Sequence, residues 1–221
     1  MSALLSSLHH LDLALLYRIN TVWISPPLDW LMLIVSAPKF FFWPGLIAGF
    51  LLAWKGGFRG RLFLVLIALA VLIGDGGIDE HGKKWFHRAR PNEALDGIRV
   101  FDGNGVTWAW PHKEPGGRSF PSGHVFNNIA LAMMACAVYG WRRMGWVWLW
   151  AALVGYSRIY LGAHYPSDVA GSAILSVGYS WAILAGARAL WRTWAPRWWP
   201  RLASAWPELP IWGARREGCH N

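Results

Sequence analysis

The chain alternates long apolar runs with short polar breaks, rather than apolar and polar residues one by one. Six runs are candidate membrane spans: about 22–37, about 40–55 (FFFWPGLIAGFLLAWK), about 62–80 (opening LFLVLIALAVLIG), about 124–140 (HVFNNIALAMMACAVYG), about 144–161 (MGWVWLWAALVGYSRIYL) and about 167–190, led by Pro166. A spanning helix needs about 20 mostly apolar residues, fewer where it tilts little or the bilayer thins. The first run is the weakest, because Pro26, Pro27 and Asp29 interrupt it. Ahead of it, residues 3–16 (ALLSSLHHLDLALL) read as an amphipathic helix lying on the membrane surface. No basic region precedes an apolar stretch there, so a cleaved signal is not expected. The pattern predicts an all-α integral membrane bundle of six transmembrane helices with an N-terminal interfacial helix. Residues 1–221 form a single domain, and the Trp/Arg/Pro-rich tail from about 191 to 221 is an interfacial anchor. The long polar loop, about 81–121, contains FDGNGV and KEPGGRSFPSG.

Composition sharpens this picture. Apolar residues make up 55% and charged residues 15%, against roughly a quarter charged in soluble domains. Several of the 18 tryptophans, among them Trp43, Trp54, Trp110, Trp141 and Trp191, stand at run ends, which suits a headgroup-level belt. The net charge of +9 raises nucleic acid as a partner, but the basic residues lie between apolar runs rather than on one soluble face. An anionic membrane surface or substrate fits better. With both termini cytoplasmic, twelve of the 21 Lys and Arg residues fall inside: Arg18, Lys55, Arg59, Arg61, Arg142, Arg143, Arg188, Arg192, Arg197, Arg201, Arg215 and Arg216. Cys136 and Cys219 suggest neither a disulfide framework nor a zinc site.

Three polar motifs then fall on one side of the membrane. Lys83 is followed after six residues by Arg90-Pro91; Pro121-Ser122-Gly123-His124 opens the fourth run; Ser157-Arg158 is followed by His164 and Asp168 between the fifth and sixth. Lys83, Arg90 and Arg158 supply three positive charges suited to phosphate oxygens. Ser122 and Gly123 stand at a helix N-terminus, where backbone N–H groups and the dipole favour an anion, and glycine permits a close approach. His164 can act as a nucleophile when neutral, Asp168 can hold its tautomer, and His124 can protonate a departing oxygen.

These residues carry a resemblance. The three segments resemble the signature K-x6-RP, PSGH, SR-x5-H-x3-D of the type 2 phosphatidic acid phosphatase (lipid phosphate phosphatase) superfamily, membrane branch. Every fixed position is met, in order, within 86 residues from Lys83 to Asp168. The resemblance implies that Lys83, Arg90 and Arg158 bind phosphate and that Ser122 and the Gly123 backbone stabilise the transition state. It implies that His164 attacks phosphorus, that His124 is the general acid, and that Asp168 orients His164. No metal and no cofactor are implied. Many relatives have RPRP where this chain has Arg88-Ala89-Arg90-Pro91. The expected partners are a lipid phosphate substrate and the bilayer, with no nucleic acid; the oligomeric state is open. The expected place is a bacterial cytoplasmic (inner) membrane with the site on the periplasmic face. By resemblance alone, undecaprenyl diphosphate leads as substrate, ahead of lipid A (removing its 1-phosphate), phosphatidic acid, phosphatidylglycerol phosphate and phosphotransfer to a lipid acceptor. A non-enzymatic lipid transporter would need the cations but not two histidines and a carboxylate.

Other polar residues have plainer expectations. Asp79 pairs with Lys83 and Glu80 with Lys84, four residues on. Lys84 and Arg88 miss the motif spacing and are expected to be solvated or headgroup-facing. His81, His87 and His112 lack metal-ligand spacing and read as loop residues, His9 and His10 as interfacial. Asp75 has no assigned partner, and Asn127 and Asn128 either line the site or satisfy their own helix.

Overall fold

The computed structural model describes residues 2–101, 106–109 and 116–212; Trp110, His112, Arg215, Arg216 and Cys219 lie outside the described residues. The chain is mostly helical. Its elements are α1 (Ser2–Tyr17), a π-helical turn (Arg18–Val22), α2 (Pro26–Ser36), α3 (Pro38–Lys55), α4 (Gly57–Ile73), a second π-helical turn (Gly74–Asp79), α5 (Glu80–Phe86) and α6 (Pro91–Ala94). After them come the hairpin strands β1 (Arg99–Phe101) and β2 (Val106–Trp108), then α7 (Gly123–Tyr139), α8 (Trp141–Met144), α9 (Trp146–Tyr160), α10 (Pro166–Trp198) and α11 (Pro200–Ala205). Proline opens α2, α3, α6, α10 and α11, where its fixed φ suits a first turn and its missing N–H costs nothing. Pro38 also holds Ala37 extended, so α2 and α3 meet at a 48° bend.

The helix α7 sits centrally, packed against α4, α9 and α10. Leu66, Ala70, Ala130, Met134 and Leu184 are buried in the core that these helices share. Along α10, Ser172, Ser176 and Ser180 recur every fourth residue and are fully buried. Small residues let two helices approach closely in an apolar environment, and Ser176 Oγ donates to the Phe126 carbonyl across that contact at 2.9 Å. By contrast α3 buries no residue and exposes Phe42, Trp43, Ile47 and Phe50. So large an apolar surface marks a face that meets lipid or a partner.

Each of the six apolar runs is helical. By length and composition, among the described residues, the segments Gly57–Ala94 and Pro166–Trp198 qualify as membrane spans, and the bent pair α2–α3 makes a third. The bundle has two ends: an upper one carrying the start of α7 and the α9–α10 turn, and a lower one carrying the α3–α4 turn. Three contacts tie the chain before Val22 to the upper end. Asp12 accepts from the Ser167 amide at 2.7 Å, Tyr17 donates to the Asp96 carbonyl at 3.0 Å, and Asn20 donates to the Tyr160 carbonyl at 2.7 Å. Both ends of α2 are held there as well. Asp29 pairs with Arg99 at 2.9 Å and accepts from Tyr160, while the Ser36 hydroxyl accepts from Arg158. The first apolar run is thus held to the upper end through both Asp29 and Ser36. The lower end holds the C-terminal segment, where the Trp191 indole donates to the Trp206 carbonyl at 2.9 Å and the Trp212 amide to Ala137 at 2.8 Å. The two termini of the described chain thus lie at opposite ends, not on one side, and Arg18 joins the upper group. Asp29, which interrupts the first run in the sequence, is compensated by Arg99, some 70 residues later in the chain.

Candidate active site

The upper end of α7 gathers the sequence motifs. Ser122 precedes the helix, its amide donating to Ser172 Oγ of α10 at 2.8 Å. The first-turn amides that follow have no carbonyl four residues back to bond. Gly123 is glycine for a steric reason: a Cβ there would lie 2.6 Å from Asp75 Oδ1 and 3.1 Å from Asp79 Oδ2. Asp75 is thereby placed against the helix start, lining the same cavity as Gly123. The expected Asp79–Lys83 ion pair is present. The Glu80–Lys84 pair is present too, at 3.9 Å and exposed, so it contributes little.

Lys83, Arg90, Gly123, His124, Arg158 and His164 line one cavity. At the upper end of this cavity Arg90 Nε, Arg158 Nε, His124 Nε2 and Asn127 Oδ1 are buried without a hydrogen-bond partner, as is Ser122 Oγ just before α7. Buried polar groups are ordinarily paired. Two guanidinium groups, a hydroxyl and an imidazole with open polar atoms, and Lys83 held beside them by Asp79, are chemically suited to a tetrahedral oxyanion. Arg158 is anchored by donating to the Ser36 hydroxyl, which fixes its guanidinium at the rim.

His164 stands in the turn between α9 and α10, which bonds back to the Arg158 carbonyl. Its side chain is 4% exposed. Nδ1 lies 2.5 Å from the Ser119 carbonyl; a carbonyl only accepts, so Nδ1 carries the proton and Nε2 presents its lone pair. Burial, with the positive charges of Arg158 and Arg90, pushes its pKa well below the usual imidazole value. The ring is held neutral, as a nucleophile requires.

Asp168 does not bond His164 directly; the two are 4.0 Å apart. Its carboxylate accepts from Ser119 Oγ at 2.6 Å, from the Tyr165 amide at 3.0 Å and from Arg88 at 2.5 Å. The Ser119 amide in turn donates to the Arg88 carbonyl at 2.8 Å. A closed ring of hydrogen bonds results, Arg88–Ser119–Asp168–Arg88, and the Ser119 carbonyl projects from it to His164. Arg88, expected at the headgroups, is drawn inward by this pairing and stacks on the Tyr165 ring, 4.1 Å from its centroid. Sequence reading missed Ser119, Arg88 and Ser36. Ser119 and Arg88 lie within three residues of a motif, but nothing in the chain distinguishes them from ordinary loop residues.

Asn128 is satisfied within its surroundings: it donates to the His124 carbonyl and accepts from the Trp150 indole, both at 2.9 Å. Asn127 lines the cavity. His81 bonds the Gly77 carbonyl at 2.7 Å, and His87 ends α5 in a left-handed turn.

The cavity, about 1410 Å³, continues from the cationic rim down α7 past Leu131 and Ala135 to Tyr139, walled by Phe41, Phe42, Trp150 and Val154. From His124 to Tyr139 the helix rises about 22 Å. The lower reach is almost wholly apolar.

The model of the PAP2 superfamily matches residues 60–199 of the chain. The lipid A 4'-phosphatase of Porphyromonas gingivalis is 32% identical over 147 residues, 65% of this chain and 59% of that protein. The undecaprenyl-diphosphatase BcrC of Bacillus subtilis is 40% identical over 60 residues, 27% of this chain and 30% of that protein. The chain spans about half the length of the first two curated relatives it matches, 51% and 59%. Among solved structures, Aquifex aeolicus LpxE superposes with a TM-score of 0.62 at 25% identity, over 79% of this chain and 95% of that one.

Proposed function

The chain belongs to the PAP2 superfamily, and from that premise we propose that it is a membrane phosphatase hydrolysing a lipid phosphate or diphosphate through a phosphohistidine. The observation that carries the reading is the union of an oxyanion receptor with a long apolar cavity, with His164 held neutral beside the receptor. Lys83, Arg90 and Arg158 take the phosphate oxygens, and Ser122 with the first amides of α7 takes the charge that builds in the transition state. His164 Nε2 attacks phosphorus while the bond to the lipid oxygen breaks. His124 gives its proton to that oxygen. Water, deprotonated by His124, then cleaves the phosphorus–nitrogen bond and frees His164. The resident chemistry calls for no metal or cofactor.

In this reading the helices α3, α4, α7, α9 and α10 cross a bacterial cytoplasmic membrane, with α1 interfacial on the active-site side. The lower end carries Lys55, Arg59, Arg61, Arg142, Arg143 and the Arg residues of α10 and α11, which makes it cytoplasmic and the site periplasmic. The lipid tail occupies the cavity beside α7. Undecaprenyl diphosphate is the first substrate to test, supported by the BcrC similarity. Lipid A is the second reading, favoured by the longer similarity to a lipid A 4'-phosphatase.

The test is phosphate release by detergent-purified protein, with EDTA present, from undecaprenyl diphosphate, lipid A, phosphatidic acid and phosphatidylglycerol phosphate. Release that persists in EDTA and vanishes in His164→Ala is expected, and the fastest lipid identifies the substrate. No release from any of them would overturn hydrolysis of these lipids.

A further inference from the structure

Asp12 of the N-terminal helix makes buried polar contacts that lead to the site. Asp12 is 7% exposed although it lies on a helix whose Leu8, Leu11 and Leu15 face outward. Its Oδ1 accepts from the Ser167 amide at 2.7 Å, and its Oδ2 accepts from the Ser167 hydroxyl at 2.5 Å and from Arg88 Nη2 at 2.8 Å. Ser167 stands in the first turn of α10, so the carboxylate satisfies an amide that helix geometry leaves open and complements the dipole. The other arm of the same guanidinium, Nη1, donates to Asp168 Oδ1 at 2.5 Å and to Ser167 Oγ at 2.8 Å. Arg88 is thus gripped between two acids from distant parts of the chain. Asp12 fixes one edge of the planar fork, and the other edge is thereby aimed at Asp168.

We propose that Asp12 is a positioning residue for the nucleophile, acting through Arg88, Asp168 and Ser119 on His164. The inference rests on the phosphatase reading above. Without Asp12, Arg88 keeps a single carboxylate partner and is free to swing with its loop. The Asp168 carboxylate then loses a fixed donor, and Ser119, which it holds, loses the alignment of its carbonyl with His164 Nδ1. The phosphate-binding cations are not part of this chain of contacts. Loss of Asp12 therefore acts on the attack step and not on substrate binding. The amphipathic helix on this account belongs to the catalytic apparatus and is more than a membrane float.

The experiment compares wild type, Asp12→Asn, Asp12→Glu and Leu16→Ala. Leu16 is fully buried in the same helix but outside the polar chain, so its truncation loosens α1 without cutting the network. The expected result for Asp12→Asn is a fall in kcat of about tenfold, the size of one charge-assisted hydrogen bond expressed in a barrier, with KM within about twofold. Partial recovery is expected in Asp12→Glu. In Leu16→Ala the melting temperature falls while kcat, read well below it, stays near wild type. In parallel, the His164 Nδ1–H resonance of histidine-labelled protein is expected to be slow to exchange in wild type and lost in Asp12→Asn, a readout independent of turnover. Should Asp12→Asn fail to accumulate folded, Arg88→Gln cuts the same chain one link on and is read identically. An unchanged kcat with an unchanged Nδ1–H signal overturns the inference, as does an equal loss of kcat in Leu16→Ala. If wild type releases no phosphate but the resonance behaves as stated, the phosphatase reading fails alone.

Discussion

Removing the Ser119 hydroxyl is the sharpest test of how the nucleophile is held. Ser119 is fully buried, and its Oγ donates to Asp168 Oδ2 at 2.6 Å. A hydrogen bond to a charged acceptor is worth about 1.5–3 kcal/mol. In Ser119→Ala the Asp168 carboxylate keeps the Tyr165 amide at 3.0 Å and Arg88 at 2.5 Å, so the lower figure applies. The Ser119 backbone also stays tied to the Arg88 carbonyl, so His164 keeps its acceptor but loses the brace behind it. About 1.4 kcal/mol appearing in the barrier is a tenfold fall in kcat. KM should hardly move, because Lys83, Arg90 and Arg158 do not contact Ser119. Rapid-quench measurement of the acid-labile phosphohistidine separates the attack step from its hydrolysis; slower formation with an unchanged breakdown rate is expected. A folded Ser119→Ala protein with wild-type kcat, or with a loss confined to KM, would refute the idea that Asp168 reaches His164 through this residue.

Two further predictions follow from the same geometry. Because burial and the Arg158 and Arg90 charges lower the His164 pKa well below 6.5, the neutral nucleophile persists as pH falls through the ordinary imidazole range; histidine NMR should find His164 unprotonated at pH 6, and the shift also means that fold stability declines below pH 6.5 as the unfolded chain takes up the proton. Gly82→Ala places a Cβ 2.7 Å from Pro121 Cδ and 2.9 Å from its Cγ, so α5 must part from the segment leading into Ser122, at a cost of about 1–3 kcal/mol; a lower melting temperature and a raised KM are expected, since Lys83 is the next residue, whereas Gly178→Ala, with nothing within 4 Å, should be neutral or stabilising.

The apolar runs, the start of the last one at Pro166 and the three spaced motifs were legible in the chain, because helix burial and anion-binding chemistry are written in local residue types and short spacings. The Asp79–Lys83 pair was legible for the same reason: four residues along a helix are neighbours whatever surrounds them. What the chain could not disclose were contacts between distant segments. Asp29 reads as a break in a hydrophobic run until Arg99 is brought against it. Arg88 reads as a spare cation until Asp12 and Asp168 close on it from either side. The spacing of four between His164 and Asp168 suggests a direct bond, yet they lie 4.0 Å apart with the Ser119 carbonyl as the actual partner. The residue spacings alone singled out the groups proposed for phosphate chemistry and set them beside apolar helices. The tertiary structure decided which groups hold those residues in place, because a buried charge or hydroxyl must find its partner wherever packing brings one near, and such partners lie 45 to 155 residues away.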